Sequence, residues 1–140
     1  MPRRVTSGYS GTPLPKKLGI KPGHAVAYLN APDGFEELMW PMPEGVVVGR
    51  RATGRKDVLV LFATRAADLR KRFASAQRAL APDGGLWIAY PKKASGVETD
   101  IDFGVAQAIG LEAGLVDNKS CAVDEVWSGV RFVYRLRDRP

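Results

Sequence analysis

The chain has 140 residues, of which 45% are hydrophobic and 26% charged, and it carries a net charge of +6. That length suits one domain with a core of its own, and those proportions exclude a disordered or fibrous chain. No run reaches the roughly 18–20 consecutive apolar residues of a membrane span, and the lone Cys121 and His24 exclude an internal disulfide and a standard structural zinc site.

An unpaired thiol suits a reducing compartment, so the cytosol is the expected location and no membrane association is expected. The 21 Lys and Arg against 15 Asp and Glu favour anionic partners through long-range attraction. The same residues are interleaved with acids along the chain, a pattern that also serves solubility.

In chain order, residues 1–18 show little apolar periodicity and end in closely spaced prolines, which predicts an extended, partly mobile lead-in before one domain over residues 19–140. The lead-in lacks the apolar central stretch of a secretory signal. A turn at Lys21-Pro22-Gly23 precedes an apolar run, His24 to Leu29, that fits a buried strand. Asn30 to Gly34 breaks it, Phe35 to Trp40 is expected as a short helix, and Val46 to Val48 as a second strand. Asp57 to Ala63 (DVLVLFA) is almost wholly apolar, as a strand covered on both faces must be. Residues 65–80 place Ala66, Leu69, Phe73, Ala76 and Leu80 three and four apart, one face of a helix, with Arg65, Arg70, Arg72 and Arg78 largely on its other sides. Pro82 to Gly85 should end that helix, and Leu86 to Tyr90 should return as a strand parallel to the previous one. Thr99 is expected to cap a further helix that buries Ile101, Val105, Ala108 and Ile109 and stops at Gly114. Leu115 to Val123 and Val130 to Leu136 are expected as an antiparallel pair, because Asp124 to Gly129 is too short for a crossover.

The expected fold class is therefore α/β: a single Rossmann-like, three-layer domain with a mostly parallel sheet of about six strands and a C-terminal antiparallel pair. Asp57 to Tyr90, with the turn Leu80-Ala81-Pro82-Asp83-Gly84-Gly85, resembles the fourth strand, helix and fifth strand of S-adenosylmethionine-dependent methyltransferases. Gly114 to Arg135 is similar to their terminal strand pair. The resemblance implies a methyltransferase-like fold shortened in its front half by about one strand–helix unit. The phrases LGIKPGHAVAYLNAP, PKKASG and GLVDNKSCAVDEVWSGVRFVYR also resemble a family of small bacterial proteins catalogued as a domain of unknown function. That likeness implies a stand-alone cytosolic domain and supplies no activity.

A nucleoside cofactor on such a fold needs a glycine-rich turn after the first strand and an acid after the second. Here the first turn is Asn30-Ala31-Pro32-Asp33-Gly34, with one glycine and a proline that lacks a backbone donor. Gly49, Arg50 and Arg51 follow the second strand, with no carboxylate. Two arginines there suit a phosphate, or stand simply as solvated loop residues. No cofactor and no metal is expected. His24 and Cys121 have no partner pattern for catalysis, Ser128-Gly129 lacks a strand-to-helix turn, and Glu36-Glu37 and Asp124-Glu125 are solvated neighbours.

Ligands on open α/β sheets gather beyond the C-terminal strand ends. The candidate anion-binding cluster there is Asn30, Asp33, Thr64, Lys92, Lys93, Ser95 and Thr99, the last four before a helix N-terminus. The leading expectation is a non-catalytic binding or regulatory module that takes an anionic small molecule or a protein partner. Nucleic-acid binding through the basic surface, with Arg3-Arg4 and Lys16-Lys17, is the alternative, and a divergent methyltransferase the second. Catalytic residues are not assigned.

Overall fold

The structure is a computed structural model, described over residues 11–140. Its elements are α1 (Leu14–Lys17), β1 (Ala25–Leu29), α2 (Phe35–Leu38), β2 (Val47–Gly49), β3 (Lys56–Phe62), α3 (Ala66–Ala79), β4 (Leu80–Pro91), α4 (Phe103–Glu112), β5 (Val116–Ala122) and β6 (Trp127–Val133). Short 3₁₀ turns cover Lys93–Ser95 and Leu136–Asp138.

The strands form one sheet in the order β2-β1-β3-β4-β6-β5. The first three pairings are parallel and the last two antiparallel, as the apolar runs and connection lengths require. Alternation along β3 sends Leu59 and Leu61 to a core layer with Leu69 and Phe73 of α3 and Ile109 of α4. Val58, Val60 and Phe62 point the other way, into a layer with Leu14, Leu18, Phe35 and Trp87. Burying each such side chain contributes about 1.5–3 kcal/mol before chain entropy is charged against it.

Four expectations need correction. The lead-in does not stay extended to residue 18: α1 forms there, and Leu14 and Leu18 are buried. Pro15 sits in the first turn of α1, where its missing N–H costs no helical bond. The indole N–H of Trp87 donates to the Leu18 carbonyl at 3.0 Å and ties this segment to the sheet. Residues 1–10 lie outside the described residues.

Pro82 to Gly85 does not separate helix from strand. β4 begins at Leu80, which pairs with Lys56, and the ladder resumes at Gly85 opposite Val58. The residues between bulge from the strand, which is where a proline inside a ladder is tolerated. The helix after β4 starts later than expected: Asp102, not Thr99, is its N-cap, accepting the Val105 N–H at 2.9 Å. Its buried residues are Ala106, Ile109 and Gly110, whereas Val105 and Ala108 are only partly covered. Last, β6 begins at Trp127, because the Asp124 carboxylate accepts the N–H groups of Val126 and Trp127, both at 2.8 Å, and closes a tight hairpin.

The front half holds the feature that shapes the functional surface. Parallel strands β2 and β3 flank β1 and are joined by residues 50–55 alone. Such a crossover normally takes about a dozen residues or more, usually with a helix. Here it fits because β2 is short and ends level with Ala27, low on the sheet. Ala52 packs on the α3-side core, so the strap runs over that face and leaves the flank of α3 uncovered.

Candidate functional site

The expected anion cluster is divided among three places. Asn30, in left-handed backbone (φ 59°), donates its side-chain N–H to the Phe62 carbonyl at 3.0 Å, which locks the ends of β1 and β3 together. Asp33 lies in a different cleft of about 500 Å³, with Glu37, Asp124 and Glu125, so its surroundings are acidic. Lys92, Lys93 and Thr99 do meet, in a cleft of about 690 Å³ beyond β4.

In that cleft the polar groups are engaged in building the loop. Thr64 contributes its carbonyl, which accepts from the Thr99 hydroxyl at 2.7 Å. The Thr99 oxygen accepts in turn from the Ile101 N–H at 3.0 Å. The Ser95 hydroxyl donates to the Lys92 carbonyl at 2.7 Å and accepts from the Val97 N–H at 3.1 Å. Asp100 accepts the Ala66 N–H at 2.7 Å and so anchors the start of α3. Glu98, Asp100 and Asp102 line the cleft beside the two lysines. With Asp102 already on the first turn of α4, the helix end is neutralised by the chain's own carboxylate. Burial, and then the Asp102 charge, pushes the Tyr90 hydroxyl above its ordinary range.

A third cleft, of about 430 Å³, opens between the strap and α3. Leu29 and Leu61 form its floor, with Asn30 of the expected cluster beside them, Arg50, Arg51 and Ala52 one wall, and Asp68, Lys71, Arg72 and Ser75 the other. Four cations thus surround one carboxylate. Asp68 is occupied by Arg72, whose Nε lies 2.9 Å from one carboxylate oxygen and 3.0 Å from the other. Arg50 pairs with Glu36 on α2. Neither Arg51 nor Lys71 meets a carboxylate among the described residues. Their charges therefore add along the mouth of the cleft over an apolar floor, where attraction for an anion is less screened than in open solvent.

Part of this site is visible in sequence, since Arg50-Arg51 after the second strand already suggests a phosphate contact. Lys71 and Arg72 read there only as the polar side of α3. The signal that could have joined them was the short spacing between the second and third strands, too brief to hold a covering helix.

Several other residues have structural tasks. His24 accepts the Lys21 N–H on Nδ1 at 3.1 Å and shapes the turn before β1. Lys17, one of the lead-in cations, donates to the Ala122 carbonyl at 3.1 Å. Arg3 and Arg4 are outside the described residues. Burial raises the Cys121 thiol, more than Lys17 and Lys119 lower it, so it is poorly ionised. Trp127 is half-buried, edge-on to Phe62 at 5.1 Å. No group of three or more His, Cys, Asp or Glu is placed to hold a metal among the described residues. No described helix is long and apolar enough to cross a membrane.

This fold is that of S-adenosylmethionine-dependent methyltransferases. The chain is similar to magnesium protoporphyrin IX methyltransferase from Synechocystis PCC 6803, solved with bound S-adenosylhomocysteine: TM-score 0.56 at 9% identity, over 81% of this chain and 75% of that one. It is similar to a ribosomal protein L11 methylase from Lactobacillus delbrueckii subsp. bulgaricus, with TM-score 0.56 and 12% identity over 87% and 75% of the two chains. A methyltransferase from Aquifex aeolicus gives TM-score 0.54 and 16% identity over 84% and 85%. At such identities the likeness is one of fold alone. No family model and no curated protein matches the chain, so the resemblance to a domain of unknown function rests on the quoted phrases only.

The residues present do not fit the cofactor of those enzymes. The Asn30 amide is spent on β3, Pro32 has no N–H, and the Phe35 N–H is taken by the Pro32 carbonyl at 3.2 Å. Where an acid would grip the ribose hydroxyls after β2 stand Arg50 and Arg51. S-Adenosylmethionine carries a sulfonium and an ammonium against one carboxylate, and Arg51 and Lys71, which meet no carboxylate among the described residues, repel it.

Proposed function

We propose that the chain is a binding or regulatory module on a methyltransferase-like fold, and that it takes a small polyanion in the cleft between the 50–55 strap and α3. The observation that carries this reading is the convergence of Arg50, Arg51, Lys71 and Arg72 on one cleft, where Arg50 and Arg72 meet carboxylates and Arg51 and Lys71 meet none among the described residues. The guanidinium fork of Arg51 suits the two oxygens of a phosphate or carboxylate, and Lys71 adds a point charge. The apolar floor formed by Leu29 and Leu61 accepts an organic body attached to the anionic head.

Nothing in the lining is arranged for transfer chemistry. The Ser75 oxygen accepts from Arg78 at 3.2 Å, and Asp68 holds Arg72. Binding is therefore the function proposed, not turnover.

Calorimetric titration with pyrophosphate, ATP and S-adenosylhomocysteine separates the readings. The expected result is uptake of the polyanions, weakened at least tenfold by the double substitution Arg51→Gln/Lys71→Gln, a loss of about 1.4 kcal/mol or more. Stoichiometric uptake of S-adenosylhomocysteine that ignores both substitutions would overturn the proposal.

A further inference from the structure

A fourth cleft, of about 580 Å³, lies between the α1 segment and residues 41–43, on the face of the sheet away from α3. It shares no lining residue with the anion cleft. Pro13, Pro22, Pro41 and Pro43 are four of its nine lining residues, and Ile20 and Met42 add apolar wall. Both walls are fixed in place. Ile20 is buried in the core layer beneath α1 and Met42 packs against that layer. The Gly23 N–H donates to the Glu44 carbonyl at 2.9 Å and clasps one wall to the other. The cleft therefore needs little reordering to accept an occupant.

Its shortage of hydrogen-bond donors follows from the sequence. The prolines have no N–H. The N–H groups of Lys16, Gly19 and Ile20 donate to the carbonyls of Pro13, Lys16 and Pro15, each at 3.0 Å. That of Lys21 donates to His24 Nδ1 at 3.1 Å. Met42 is left as the only lining amide without a partner among the described residues. An extended peptide laid here would bury carbonyl groups with too few donors to receive them. An alkyl chain asks for none, and gains from leaving water.

Charge selects the head group. Lys16 and Lys21, both exposed, are the only ionisable lining residues, and neither meets a carboxylate among the described residues. Trp40, next in the chain to Pro41, is 77% exposed, so uncovered apolar surface continues past the wall. We propose that this cleft binds a free amphiphile of the fatty-acid class. Its alkyl chain lies against Ile20, Met42 and the prolines, and its carboxylate sits between the ammonium groups of Lys16 and Lys21. None of the residues offered for the polyanion takes part, so the two readings stand or fall separately.

Titration of isotopically labelled protein with octanoate, decanoate and laurate, each below its micelle concentration, tests the proposal through backbone amide shifts. Saturable movement is expected at residues 16, 19–21 and 42, with affinity rising roughly fourfold for each added CH₂. The double substitution Lys16→Glu/Lys21→Glu, at exposed positions and with folding checked by circular dichroism, should weaken laurate at least tenfold. It should also reverse the preference between laurate and dodecyltrimethylammonium. An absent response, an affinity that ignores chain length, or a preference unmoved in the folded variant overturns the proposal. So does movement centred on residues 50–52 and 68–75. Capture of the chain by phosphatidylglycerol vesicles without any response to free laurate overturns it too, and would make the patch a membrane contact.

Discussion

Tyr28 is 2% exposed, yet its hydroxyl has no hydrogen-bond partner among the described residues. Its ring stacks edge-on to Phe35 at 4.9 Å, so the side chain is held by packing alone. Burial pushes the hydroxyl up to about 12, with Glu36 adding to the rise and Arg50 opposing it. The folded state thus keeps the proton where the unfolded chain, near 10, releases it. This contribution to stability is complete below pH 10 and lost as the pH rises towards 12. Tyr28→Phe should be neutral, or stabilising by up to about 1 kcal/mol at pH 7, since no bond is broken. Urea melts of the two proteins should then show a shallower alkaline fall for the variant. Gly110 makes the opposite case. A Cβ there would enter the ring of Phe132, so Gly110→Ala should cost about 1–3 kcal/mol in the same melts despite its better helix propensity. In sequence, Gly110 is an unremarked residue inside an apolar stretch. Only the approach of β6 explains it.

At the level of elements, what could be read early was what local pattern alone decides. The run Asp57 to Ala63 and the three-and-four spacing from Ala66 to Leu80 specify β3 and α3 without help from distant residues. α1 was missed because Pro13 at its cap and Pro15 in its first turn look like breakers, while Leu14 and Leu18 owe their burial to a sheet that lies far along the chain. The start of β4 was missed for a related reason. Pro82 and Gly84 do interrupt the ladder, but pairing of Leu80 with Lys56 recovers it on the near side. The docking of α1 makes Leu18→Ala a sharp test at this scale. Truncating a fully buried leucine should cost about 2–5 kcal/mol, and the fluorescence of Trp87, bonded to the Leu18 carbonyl, should shift with it. If α1 were a mere appendage, both stability and emission would stay at wild-type values.

Across the whole molecule, the net charge of +6 pointed to anions but not to the place. Lys92, Lys93, Ser95 and Thr99 form a conspicuous polar string, and the structure spends its hydroxyls and carboxylates on holding β4, α3 and α4 in register. Arg50 and Arg51 were legible, whereas Lys71 and Arg72 join them only because the strap, residues 50–55, is too short to hold a covering helix. Charge spacing along the chain cannot reveal such a meeting, since it depends on a missing element and not on a motif. The short strap between β2 and β3 leaves the flank of α3 open at the cleft.

The most direct test of this account is a titration of isotopically labelled protein with pyrophosphate, followed by backbone amide shifts. The expected outcome is saturable movement at residues 50–52 and 68–75, fading as salt is raised, while residues 32–34 and 92–99 stay in place. Movement centred on 32–34 or 92–99, with the strap and α3 silent, would contradict it.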